Sequence, residues 1–251
     1  MSKSWAALRR GEPMYGAFLS TGSTVSAEVV GSAGFDFVVI DLEHGMGSEA
    51  ALLPQLQAIE HTPALACVRV ESHERQRAHR VLDLGARGVM FPRVDTAGQA
   101  RACLAAMRYP PAGVRGVAML VRASDFGRRF LDYRDSAEES LLAILQIETA
   151  EAVANAGEIA AVDGAGVLFI GPMDLSTSLG VFRDYQHPRF LEALDKVTSA
   201  AARHSRALGI LAGSPEEAVR YRAMGFTFLM CGTDVSFLRN AAQQTSEAMR
   251  R

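Results

Sequence analysis

The sequence predicts a (β/α)8 TIM barrel with an additional terminal helix, folded as one domain over residues 1–251. Three observations carry the prediction. Eight short apolar runs recur along the chain, segments of helical period lie between most of them, and glycines stand just ahead of several runs, where a helix should end. A chain of 251 residues that is 49% hydrophobic can bury a large core in one domain. A doubly wound sheet would need fewer strands or more chain.

The runs fall at 15–19, 36–41, 64–70, 88–92, 141–147, 166–170, 207–211 and 227–231. A brief, nearly continuous apolar run reads as a parallel strand buried on both faces. After the first run Val25, Val29 and Val30 share a helical face; after the second, Leu52, Leu53, Leu56 and Ile59; after the third, Val81, Leu82 and Leu84. Ala100, Cys103, Leu104 and Met107 follow the fourth run, and Phe190, Leu191, Leu194 and Val197 follow the sixth. Gly34, Gly85, Gly164 and Gly225 precede the second, fourth, sixth and eighth runs, as left-handed helix ends. The interval between the fourth and fifth runs holds Arg108-Tyr109-Pro110-Pro111-Ala112-Gly113-Val114-Arg115-Gly116 and then Arg122-Ala123-Ser124-Asp125-Phe126. It is too long for a plain connection, and its punctuation predicts a functional loop with an extra short helix over the barrel mouth. Beyond the last run, Val235, Leu238, Ala241, Ala242, Thr245 and Ala248 stripe a terminal helix that closes the barrel or docks on a neighbour.

Charge excludes whole classes of partner. The formal net charge is −2, with Lys and Arg scattered among Asp and Glu, so no basic stripe calls for nucleic acid or an anionic membrane. No stretch has the length and apolarity of a membrane span, and Met1-Ser2-Lys3-Ser4-Trp5 lacks the apolar core of a signal peptide, so the expected location is the cytoplasm. Cys67, Cys103 and Cys231 are odd in number and far apart. Cys67 and Cys231 fall inside apolar strands and read as buried, inert thiols.

Several strands end in polar residues, and in a barrel the C-terminal strand ends form the active face. These ends are Asp41-Leu42-Glu43-His44, Arg69, Pro92-Arg93, Gln146-Ile147-Glu148 and Gly171-Pro172-Met173-Asp174. Adjacent strands lie about 5 Å apart, so Glu148 and Asp174 can share a divalent cation. Two hard oxygen ligands with positions left for water and substrate suit Mg²⁺ or Mn²⁺ rather than a closed zinc site. Arg69 lies inside an apolar strand and must meet an anion, either Glu43 in an ion pair or an oxyanion or carboxylate of the substrate. Gly171-Pro172 opens a turn into a helix, so the N–H groups around Met173 and Asp174 can hold a carboxylate. His44, with Gly45 and Gly47 permitting a sharp turn, is placed to act as a general base. His61, His73, His79, His187 and His204 read as surface residues, and Asp83 reads as an acid on a helix surface.

Taken in order, these motifs resemble the HpcH/HpaI family of metal-dependent pyruvate aldolases. The resemblance runs from about Gly16 to Glu247. It rests on Ala33-Gly34-Phe35-Asp36, Ile40-Asp41-x-Glu43-His44, Val68-Arg69, Arg108-Tyr109-Pro110-Pro111-x-Gly113-x-Arg115-Gly116, Gln146-Ile147-Glu148-Thr149, Phe169-Ile170-Gly171-Pro172-x-Asp174-Leu175-Ser176 and Gln186-His187-Pro188. It implies a modified TIM barrel in a homo-hexamer, a trimer of dimers with exchanged terminal helices. It implies Glu148 and Asp174 as ligands of a divalent cation (Mg²⁺, Mn²⁺ or Co²⁺) and Gln146, Met173 and Asp174 as contacts to a 2-oxo acid. His44 matches the family's base, Arg69 its transition-state stabiliser, and Asp83 the acid that raises the basicity of that histidine, a role that overrides the helix-surface reading. The implied reaction is aldol cleavage of a 4-hydroxy-2-oxo acid to pyruvate, or a close 2-oxo acid such as hydroxypyruvate, and an aldehyde. Leu42 stands where members acting on the dicarboxylic C7 substrate commonly have glycine, and Met173 where alanine is usual, so the aldehyde side is expected to differ. The small, apolar end of the seventh strand, Ile210-Leu211-Ala212-Gly213-Ser214, favours a short or hydroxylated aldehyde. Alternatives are oxaloacetate decarboxylation, acyl-CoA cleavage, for which no basic groove is visible, and a non-catalytic oxo-acid-binding protein, which would have no need of His44 as a base.

Overall fold

The computed structural model describes residues 4–251. Eight parallel strands close into one barrel in chain order. They are β1 (Met14–Leu19), β2 (Phe37–Asp41), β3 (Leu65–Arg69), β4 (Gly88–Phe91), β5 (Leu142–Ile147), β6 (Val167–Ile170), β7 (Ala207–Ala212) and β8 (Phe228–Thr233), each within about two residues of its predicted run. The short helix α1 (Ala6–Arg9) precedes the barrel, and α2 (Thr24–Gly31), α3 (Glu49–Glu60), α4 (Arg75–Asp83) and α5 (Ala97–Met107) follow β1 to β4. The extra helix α6 (Phe130–Ser140) leads into β5; α7 (Ala150–Ala154) and α8 (Ala156–Ala160) follow β5. Helices α9 (Pro172–Ser178) and α10 (Pro188–Arg203) follow β6, α11 (Pro215–Ala223) follows β7 and α12 (Asp234–Ala248) follows β8.

Local chemistry sets the helix boundaries. Ser23, Thr96, Thr149, Ser214 and Thr233 cap α2, α5, α7, α11 and α12, each side chain accepting a backbone N–H of the first turn. Gly34, Gly85, Gly164 and Gly225 adopt the left-handed conformation expected of them, with φ of 97°, 102°, 86° and 95°.

Strand alternation divides the core into two layers. Val38, Ile40, Val68, Val89, Leu145, Leu168 and Ile210 face outward onto the helices. Phe37, Val39, Cys67, Met90, Ile144, Phe169, Phe228 and Met230 fill the barrel interior. The floor is closed by Trp5, which is fully buried, packs against Phe37 and Phe228, and donates its indole N–H to the Arg87 carbonyl at 2.9 Å. The period of two that turns Val39, Cys67 and Ile144 inward also turns Asp41, Arg69, Gln146 and Glu148 inward, one or two steps nearer the mouth.

Two expectations are corrected. The interval between β4 and β5 does not cover the mouth. It climbs the outer flank of α4, where Arg75 donates to the Val114 carbonyl and Gly116 approaches His79, and returns to the floor, where Arg122 bonds the Leu84 carbonyl and Glu60. Its polar groups are satisfied more cheaply along a neighbouring helix than above a solvated opening. The predicted terminal helix is present as α12; its buried residue is Asp234, and Val235, Phe237 and Leu238 are exposed. Cys67 is buried as expected, whereas Cys231, near the end of β8, is half-buried.

Candidate active site

The mouth of the barrel is organised first by Asp41 and Arg69, the last residues of β2 and β3, which are register partners. Arg69 Nε and Nη2 donate to the two Asp41 carboxylate oxygens at 2.9 and 2.8 Å, and Nη1 meets Glu43 Oε2 at 3.0 Å. Phe18 lies under the guanidinium, 4.7 Å from ring centroid to Cζ. Both anions come from the chain itself, so the ion pair expected with Glu43 is present and Asp41 is added to it. Asp41 also accepts the backbone N–H groups of Glu43 (3.1 Å) and His44 (3.2 Å), which folds the segment after β2 back over its own strand end. Gly45 is required there, because a Cβ would stand 2.1 Å from the Asp41 carbonyl oxygen. The His44 side chain is 67% exposed, with Nε2 at 3.9 Å from Glu43 Oε2.

Across the mouth, Glu148 follows β5 and is only 4% exposed. Its Oε1 accepts the Arg93 backbone N–H at 2.8 Å and its Oε2 accepts Gln146 Nε2 at 2.9 Å. Arg93 presents that N–H from a left-handed conformation, φ 46°. Gly171 lies close enough that a Cβ would stand 2.6 Å from Glu148 Oε2. Burial pushes the Glu148 carboxyl up to about 7; the Arg93 N–H opposes the shift, and Asp174 and Glu43 reinforce it. Burial likewise raises Glu43 against the pull of Arg69 and His44, with Asp41 and Asp174 adding to the rise. Asp174 sits in the first turn of α9 and is exposed, as is its neighbour Met173.

Among the described residues, no group of three or more His, Cys, Asp or Glu side chains closes around a common metal position. The donor set nevertheless fits a hard cation. Glu148 and Asp174 repel each other electrostatically, and the Gln146 Oε1 is buried without a partner. One or two carboxylates with water and substrate oxygens are what Mg²⁺ ordinarily takes.

The mouth thus brings together His44, Arg69, Gln146, Glu148, Met173 and Asp174 from the ends of β2, β3, β5 and β6. Asp83 is not among them. It lies at the end of α4 that leads into β4, on the floor side, and its carboxylate receives Arg115 Nη2 at 2.9 Å. Arg115 is 1% exposed, bonds the Tyr133 hydroxyl at 2.9 Å and lies over the Tyr109 ring. His79 belongs to the same cluster, so it is not a free surface residue; burial lowers its pKa, and Arg75 and Arg115 act in the same direction. His73 is half-buried, its ring nitrogen against the Pro92 carbonyl at the end of β4. Sequence reasoning also passed over Asp234. That carboxylate ties α12 to the end of β1 by accepting Ser20 N–H at 2.8 Å and the hydroxyls of Thr21 and Ser26. An aspartate directly after a capping threonine was the available signal.

A closed parallel barrel whose mouth gathers carboxylates, an arginine and a histidine defines the class: a (β/α)8 enzyme with its chemistry at the C-terminal strand ends. The model of the HpcH/HpaI aldolase/citrate lyase family matches residues 14–241. A hydroxypyruvate/pyruvate aldolase of Delftia acidovorans is 41% identical over 238 residues, covering 94% of this chain and 88% of the relative. A 5-keto-4-deoxy-D-glucarate aldolase of Klebsiella pneumoniae is 35% identical over 250 residues, covering 100% and 97%. The crystal structure of an HpcH/HpaI aldolase/citrate lyase family protein from Burkholderia cenocepacia superposes with a TM-score of 0.92 at 38% identity, covering 98% of this chain and 99% of that one. The chain belongs to the HpcH/HpaI aldolase/citrate lyase family. It is a lyase.

Proposed function

We propose that this lyase reversibly cleaves 4-hydroxy-2-oxo acids to pyruvate, or a close 2-oxo acid such as hydroxypyruvate, and an aldehyde. The observation that carries the reading is the pairing of two neighbouring carboxylates, the buried Glu148 and the exposed Asp174, with a fixed cation, Arg69, and an exposed base, His44, on one barrel mouth. The names of the aldolases from Delftia and Klebsiella point to the same chemistry.

Glu148 and Asp174 would hold a divalent cation, Mg²⁺, Mn²⁺ or Co²⁺, which would polarise the 2-oxo group as a Lewis acid. Gln146, Met173 and Asp174 orient the oxo acid. In cleavage His44 removes the proton of the C4 hydroxyl, the C3–C4 bond breaks to release the aldehyde, and the electron pair enters the enolate of pyruvate. Arg69 stabilises the charge that develops on the enolate oxygen. Protonation at C3 then gives pyruvate.

The role that the resemblance gives Asp83, raising the basicity of His44, requires a second chain, because within one chain Asp83 is on the floor side and held by Arg115. A homo-hexamer built as a trimer of dimers supplies such neighbours, and the exposed apolar residues of α12 support docking between copies. On the aldehyde side, Leu211, Ala212 and Gly213 at the end of β7 offer no second cation, which favours short or hydroxylated aldehydes. No helix of the described residues is long and apolar enough to cross a membrane, and with a net charge of −2 the expected partners are small metabolites in the cytoplasm.

The test is pyruvate release from a panel of 4-hydroxy-2-oxo acids by EDTA-treated protein, with and without added Mg²⁺, Mn²⁺ or Co²⁺. Cleavage restored by a cation is the expected result. Pyruvate binding without cleavage under any cation would replace this reading with that of a non-catalytic oxo-acid-binding protein.

A further inference from the structure

All three nitrogens of the Arg69 guanidinium already carry a carboxylate partner, two from Asp41 and one from Glu43. One planar face of the guanidinium is taken by the Phe18 ring. The guanidinium keeps further N–H groups on Nη1 and Nη2, but a substrate oxyanion that takes both comes up against the Glu43 carboxylate at Nη1 and is repelled unless one of these partners yields. Asp41 is poorly placed to do so: it is 4% exposed and pinned by two backbone N–H groups at the turn it shapes. Glu43 lies two residues beyond the strand on a half-buried side chain, and the oxygen that touches Arg69 is also 3.9 Å from His44 Nε2.

We infer that Glu43 is an exchangeable positioning residue: it occupies Arg69 in the free enzyme, gives way when the 2-oxo acid binds, and then holds the His44 ring toward the C4 hydroxyl. The inference rests on the aldolase reading above and adds to it a coupling between filling the oxo-acid site and aligning the base. One carboxylate serves two partners that substrate binding calls on in turn. The free-state contact lowers the apparent affinity for the oxo acid, because part of the population must first release Arg69.

The decisive experiment measures the dissociation constant of pyruvate by calorimetry in saturating Mg²⁺, together with kcat for cleavage, in wild type, Glu43→Gln and Glu43→Asp. Glu43→Gln should bind pyruvate about five- to tenfold more tightly while losing about 10²-fold in kcat, a split in opposite directions that general damage to the site would not produce. Glu43→Asp, which keeps the charge, should recover part of kcat. Removing a negative charge from the mouth could favour any anion, so the same pair is compared in an Arg69→Ala background, where the gain in affinity should vanish. Unchanged or weaker pyruvate binding in Glu43→Gln, or a gain that persists without Arg69, would overturn the inference while leaving the aldolase reading intact. Failure of the wild-type protein to bind pyruvate with any cation would overturn both.

Discussion

Glu148 and Arg69 show how a single side chain takes its chemistry from its depth in the barrel. The same inward parity that hides Val39 and Ile144 carries Glu148 into a nearly dry position, where burial raises its pKa to about 7 from an ordinary value of 4.5. The folded chain thus binds a proton at Glu148 more tightly than the unfolded chain does. Without a divalent cation, that favourable protonation is complete below about pH 4.5 and is lost as the pH rises to about 7. Thermal melts in EDTA should show Glu148 lowering stability across that window, and Glu148→Gln should flatten the slope; added Mg²⁺ should restore the wild type at neutral pH by favouring the carboxylate. Both residues were legible in the sequence because each is a charge at the end of an apolar run. Asp41 as the partner of Arg69 was less visible, since the pairing depends on β2 and β3 ending in the same register row.

At the scale of elements, the turn from β6 into α9 is the most demanding piece of the mouth. Proline at the first helical position starts α9 directly after the strand, which leaves Gly171 facing Glu148 with no room for a side chain. Gly171→Ala should push the Glu148 carboxylate aside and weaken Mg²⁺ binding by at least tenfold in calorimetry, at a stability cost of about 1–3 kcal/mol. Retention of full Mg²⁺ affinity would show that Glu148 does not hold the cation from this position. The segment between β4 and β5 teaches the opposite lesson. Its length and its Pro-Gly punctuation announced an excursion and the additional helix α6, but nothing local told it which way to lean. The choice was made by Asp83, which meets the buried Arg115, and by the Leu84 carbonyl, which receives Arg122. The acid read as a helix-surface residue therefore became the anchor of the excursion.

Over the whole molecule, function and closure occupy opposite ends of the barrel. Trp5 seals the floor while the ionisable residues line the mouth, so stability and catalysis should separate on mutation. Trp5→Ala removes a fully buried aromatic side chain and should cost roughly 3–5 kcal/mol in denaturant unfolding, with kcat nearly unchanged at temperatures where the variant stays folded. A parallel loss of kcat in the folded variant would show that the floor and the mouth are coupled through the interior layer of Phe37, Met90, Phe169 and Phe228.

The sequence by itself determined the eightfold alternation, the strand positions, the glycine helix ends and the polar residues that close several strands, because all of these are written in short-range periodicity and in the rule that a parallel strand buries both faces. Tertiary structure alone decided which of those residues meet. Barrel closure brought the ends of β5 and β6 across one mouth from those of β2 and β3, set Glu43 between Arg69 and His44, and left Asp83 at the floor. The physical reason is that strand ends and helix ends lie on opposite faces of a βα unit: a residue one helix away in sequence is a barrel's height away in space, while residues a hundred positions apart share one barrel mouth.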